Sequence, residues 1–114
     1  MRVESDMAAT LPARPKDADT DDRFTVLAHE WRVGRGVTSS SRKMAEHPAY
    51  QAIISLGESV VPFILRDLER RPDHWFIALH SLTHADPVLS EHRGDVAAMA
   101  TDWIAWGRAN GLRW

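Results

Sequence analysis

Apolar side chains recur at three- and four-residue spacing from Phe24 to Trp106, and proline or glycine cuts each run short. No run of alternating β-branched residues bounded by hairpin turns is present. The pattern therefore predicts an all-α fold, a compact bundle of five or six short helices. The punctuation places them. A first helix is expected after the capping candidates Asp21 and Asp22, burying Phe24, Leu27, Ala28 and Trp31 and ending near Gly34. Residues 34–40 read as a loop supplying an N-cap to a short turn over Arg42 to Glu46. Pro48 opens the next helix, which carries Tyr50, Ile53, Ile54 and Leu56, and Gly57 closes it.

A helix over 59–70 follows, with Pro62 in its first turn and Val61, Ile64, Leu65 and Leu68 on its buried face. Asp73 is expected to cap a helix presenting Trp75, Phe76, Leu79, Leu82 and Thr83, closed by Asp86-Pro87. The last helix starts at Asp95, presents Val96, Met99, Ala100, Trp103, Ile104 and Trp106, and stops at Gly111.

At 114 residues, 44% apolar and 26% charged, the chain has the size of one domain, and a multidomain enzyme is not expected. Residues 1–22 set Arg2, Arg14 and Lys16 against Glu4, Asp6, Asp17, Asp19, Asp21 and Asp22, and contain Pro12 and Pro15. With few large apolar groups to offset the entropy of ordering, they read as a flexible acidic leader to a helical domain over 23–114. No apolar stretch approaches the roughly 18–20 residues of a bilayer span, and the amino terminus lacks the apolar core of a signal peptide. No membrane association and a cytoplasmic location are expected. Without cysteine there is no disulfide, thiolate zinc site or cysteine nucleophile.

Two consecutive helices resemble a HEAT-type repeat. The residues that carry the likeness are Leu56-Gly57-Glu58, Val61-Pro62, Ile64, Leu65 and Leu68, then Pro72-Asp73, Ala78-Leu79, Leu82 and Asp86-Pro87-Val88. The resemblance covers about 40 residues without a second copy at the repeat period, so it implies one HEAT-like antiparallel helix pair and not a solenoid. Ser39-Ser40, His47 to Tyr50, Ile53-Ile54, Pro72 to Phe76, Asp86-Pro87-Val88, Arg93-Gly94 and Trp103 to Gly107 also resemble a group of small bacterial proteins. That likeness implies bacterial origin and a helical domain, and supplies no catalytic residues. HEAT-type units as a class imply protein binding.

Few constellations carry chemistry. His80 and His84 stand four apart on an expected helix, with His74, Asp86 and His92 as further metal-ligand candidates, but residue 81 is Ser where a metalloprotease motif needs Glu. Imidazoles on the polar side of an amphipathic helix are the simpler account, and neither a metal nor another cofactor is expected. Gly34-x-Gly36 lacks the Lys-Ser/Thr of a phosphate loop, and Ser39, Ser40 and Ser41 have no partner pattern for a nucleophile, so a non-enzymatic protein is expected.

Arg32, Arg35, Arg42 and Lys43 form an acid-free basic stretch suited to phosphate or carboxylate contact, or else to pairing with carboxylates of a neighbouring helix. The near-neutral charge of residues 23–114 makes nucleic acid an unlikely partner. Five Trp are the compositional oddity. Trp31, Trp75 and Trp103 fall on apolar stripes and are core candidates, whereas Trp106, Trp114 and the region from Tyr50 to Trp75 are the candidate contact surface. The sequence thus reads as a protein–protein interaction module of antitoxin, immunity or accessory-subunit type, binding another protein or a second copy of itself. The alternative is a nucleic-acid or phosphorylated-ligand binder acting through residues 32–43.

Overall fold

The computed structural model describes residues 16–114 as an all-helical unit with no strand among them. Six α-helices follow in order: α1 (Lys16–Gly34), α2 (Ser41–Ala45), α3 (Pro48–Ser55), α4 (Val61–Arg70), α5 (Phe76–Thr83) and α6 (Val96–Ala109). Short 3-10 turns at Glu58–Val60 and Ser90–His92 lead into α4 and precede α6. The most extensive packing is α1 on α3, followed by α4 on α6. α5 touches α4 much less than α6 does, so the HEAT-like pairing stays an expectation.

Local chemistry explains most boundaries. Ser40 caps α2 by accepting from the Lys43 amide, and Asp95 caps α6 by accepting from the Ala98 amide. Pro48 opens α3, where its missing N–H costs nothing, and Pro62 sits in the first turn of α4. Gly57, at φ 85°, turns the chain between α3 and α4 in a conformation that side chains resist. Gly107 serves closeness instead. A Cβ there would lie 2.6 Å from Leu65 Cδ1, so glycine lets α6 approach α4.

Three expectations are corrected. α1 begins at Lys16, before Asp21 and Asp22, so the helical unit reaches into the expected leader. Asp21 does not cap it; its carboxylate lies on the helix side and pairs with Arg66 of α4. The rest of the expected leader, residues 1–15, lies outside the described residues. Asp73 does not cap α5, whose N-cap is Trp75. Finally, α5 ends at Thr83 and not at Asp86-Pro87, because His84 takes a left-handed conformation at φ 59°. Thr83 Oγ1 holds that turn, donating to the Leu79 carbonyl at 2.8 Å and accepting from the Ala85 amide at 3.1 Å.

The core centres on aromatic rings. Trp31, Tyr50 and Trp75 are fully buried, with Phe24 beside them. Ring centroids lie 4.4 Å apart for Trp31 and Trp75, 5.2 Å for Trp31 and Tyr50, and 5.5 Å for the stacked Tyr50 and Trp75. Their polar atoms are all satisfied. Trp31 Nε1 donates to the Met44 carbonyl at 2.8 Å, and the Tyr50 hydroxyl donates to the His74 carbonyl and accepts from the Ala78 amide, both at 3.0 Å. Tyr50 thereby sets where α5 starts. Elsewhere, Asp102 of α6 holds the 84–95 connection by accepting from His92 Nδ1 at 2.7 Å and from the Leu89 amide at 3.0 Å. That carboxylate raises the His92 pKa above its ordinary value.

Tyr50→Phe strips both hydroxyl bonds without changing ring volume, leaving a buried amide and carbonyl unpaired. It should lower stability by about 1–3 kcal/mol. The check is a shift of the urea midpoint at unchanged slope.

Candidate functional site

α1 carries residues for three environments. Its inner face, Phe24, Ala28 and Trp31, enters the aromatic core. One turn further on, Arg32 and Arg35 reach over the indoles: the Arg35 guanidinium lies 4.3 Å from the Trp31 ring centroid, and Arg32 lies 5.8 Å from that of Trp75. Two aspartates close the arrangement from below. Asp67 of α4 pairs with Arg32 and accepts from Trp75 Nε1 at 2.8 Å. Asp73 accepts from Arg32 Nε at 3.0 Å, and from Arg35 Nη1 and the His74 amide at 2.8 Å.

These pairs are poorly hydrated, and for Arg32 and Asp73 the charged partners outweigh the cost of burial. Burial works against the Arg32 cation, but the Asp67 and Asp73 carboxylates outweigh it and leave its pKa above the ordinary value. Burial likewise pushes the Asp73 carboxyl up, and hydrogen bonds from Arg35, the His74 amide and Arg32 outweigh that, holding it below its ordinary 3.8. Arg32 and Arg35 are therefore structural cations, and the basic stretch does not act as one surface. Arg42 and Lys43 remain exposed on α2 and are not drawn into this cluster.

The aromatic candidates divide as well. Tyr50 and Trp75 are fully buried and cannot meet a partner. Trp106 is half-buried and lines an open apolar cavity of about 250 Å³ with Val61 and Leu112. Trp114 is half-buried and engaged: its Nε1 donates to Glu69 at 2.9 Å, and Arg108 lies 5.1 Å from its ring centroid. His80 and His84 do not share a helix face, since His84 is the left-handed residue after α5 and His80 Nδ1 lies 3.0 Å from the Ala85 carbonyl oxygen. Among the described residues no group of three His, Asp or Glu side chains is placed to hold a metal ion.

Two grooves flank α1. On one side, Val26 and Leu27 of α1 and Ala52 and Leu56 of α3 line an open cavity of about 500 Å³, with Asp22 and Arg23 at its edge. Val26 is 57% exposed, and Val33, seven residues along the same face, is 70% exposed. The apolar side chains of α1 thus occupy two faces, of which the fold buries only one. On the other side, α1 and α4 enclose a cavity of about 400 Å³ bordered mainly by guanidinium groups. The sequence reading missed both. Val26 and Val33 stand off the core stripe at helical spacing and were a usable signal, while the second groove needed the α1–α4 approach.

Comparison with family models, curated proteins and solved structures found no match. Among the described residues no single helix is long and apolar enough to cross a membrane.

Asp73→Ala leaves Arg35 without its carboxylate and Arg32 with one in place of two, and should lower stability by about 3 kcal/mol. Because the folded pKa of Asp73 is depressed, its contribution is present above pH 3.8 and lost as pH falls through the lower folded value. The acid limb of a stability–pH profile below pH 3.8 should therefore be shallower in the variant.

Proposed function

We propose that the chain is a non-enzymatic protein-binding module of a bacterial cytoplasm, whose contact surface is the apolar groove between α1 and α3. The occupant is an amphipathic helix of another protein. One observation carries the reading: the outward-facing Val26 of α1 lines a cavity of about 500 Å³ with Leu27, Ala52 and Leu56, and Val33 continues the exposed apolar face two turns on, while the core face of α1 is already filled. A channel between two helices offers the ridges and hollows that accept side chains at i, i+3 or i+4, and i+7 of a third. Edge residues of both signs, Asp22 and Arg23, suit a partner helix with a mixed polar rim.

An antitoxin, immunity or accessory-subunit role is the form of binding proposed here, and the HEAT-like helix pair belongs to the same proposal. Half-buried Trp106 extends the apolar surface available to a larger partner.

Val26→Asp and Ala52→Arg place charge in the groove without touching the aromatic core. Affinity purification from the native host, followed by absolute molar mass, should give a stoichiometric complex with the unaltered chain. Both variants should lose it while retaining their helical circular dichroism and melting temperature. A partner retained by both variants, or an unaltered chain recovered alone as a monomer, would overturn the reading.

A further inference from the structure

The groove on the opposite flank of α1 has a different chemistry. Its floor is formed by the core residues Phe24 and Ala28, and its border carries the guanidinium groups of Arg32, Arg66, Arg70 and Arg71 with His29 and the carboxylate of Asp67. Pairing consumes part of this charge. Asp67 and Asp73 engage Arg32. Asp21 engages Arg66 through both oxygens, at 2.5 Å to Nη2 and 3.2 Å to Nη1. Arg70 and Arg71 make no ion pair or side-chain hydrogen bond among the described residues, and Glu69 just before them turns away to Arg108 and Trp114. The groove is left with Arg71, and with Arg70 engaged only through the longer-range attraction of Asp21, beside a cavity of about 400 Å³.

A cation in the last turn of a helix complements the helix dipole wherever it stands. What is particular here is the enclosed volume and the position of Asp21. Its carboxylate occupies the Arg66 fork as the oxygens of a bound anion would. The pair is only half-buried, so exchanging that carboxylate for a better anion costs little.

We propose that this groove binds the phosphate group of a small phosphorylated molecule. Arg70 and Arg71 make the first contacts, and Arg66 joins them when Asp21 is displaced. Asp21 acts as an internal competitor that keeps the arginine cluster satisfied when the groove is empty. The site is separate from the α1–α3 surface, so the two proposals stand or fall independently.

The test is titration of the isotope-labelled chain with inorganic pyrophosphate at low ionic strength, following backbone amides, with citrate as a carboxylate control. Pyrophosphate should give saturable shifts confined to α1 near His29 and to α4 from Arg66 to Arg71. Arg70→Ser/Arg71→Ser, which removes only exposed side chains, should weaken binding about tenfold or more. Asp21→Asn should tighten it by about threefold, the scale of a half-buried pair. Shifts that do not saturate, binding that survives the double substitution, or citrate binding as tightly as pyrophosphate would overturn the proposal. Asp21→Asn binding more weakly than the unaltered chain would do the same.

Discussion

The fold depends on how two aspartates hold two arginines over a pair of buried indoles. Asp67 and Asp73 come from the end of α4 and the turn after it, and Arg32 and Arg35 from the last turn and end of α1, yet the four meet across Trp31 and Trp75. Each member has a second task. Asp67 satisfies the Trp75 indole N–H, Asp73 accepts from the His74 amide, and both guanidinium groups cover aromatic faces. Removing any one leaves another group unpaired in a poorly hydrated place, which is why buried networks of this kind are costly to break even when their net contribution is modest.

That knot fixes the rotation of α1, and the rotation decides what its remaining faces offer. With Phe24, Ala28 and Trp31 turned inward, Val26 and Val33 necessarily point outward, and His29 faces the α4 arginines. An apolar channel and a cationic groove therefore lie on opposite flanks of one helix. Both follow from a single packing decision.

The all-α reading and most helix ends were legible because they rest on local chemistry. Proline at the start of α3, glycine in a left-handed turn at residue 57 and Asp95 ahead of α6 act within a few residues, whatever the tertiary fold. The core stripe of α1 was legible through its period. What escaped was contact at long range. Asp67 carries no local signal of its partner, yet it lies under Arg32, 35 residues away in the chain. Tyr50 and Trp75 read as possible interface residues because Trp is enriched at interface centres, although Trp75 also fell on an apolar stripe. Tyr50 instead meets two backbone groups of the α5 start, and Trp75 meets Asp67. His84 was hidden differently, since its left-handed turn depends on the Thr83 hydroxyl and not on glycine.

The most direct test of the ion network is a double-mutant cycle between Arg32 and Asp67, with denaturant unfolding of the unaltered chain, Arg32→Met, Asp67→Leu and the double variant. If the two charges hold each other in a dry site, each single substitution removes a charged partner, leaving Arg32 only Asp73 or Asp67 only the Trp75 indole N–H, and the double variant is less destabilised than the sum by about 2 kcal/mol. Effects that add to within about 0.5 kcal/mol would mean that the pair is a surface contact. The orientation of α1 would then have to be explained by apolar packing alone.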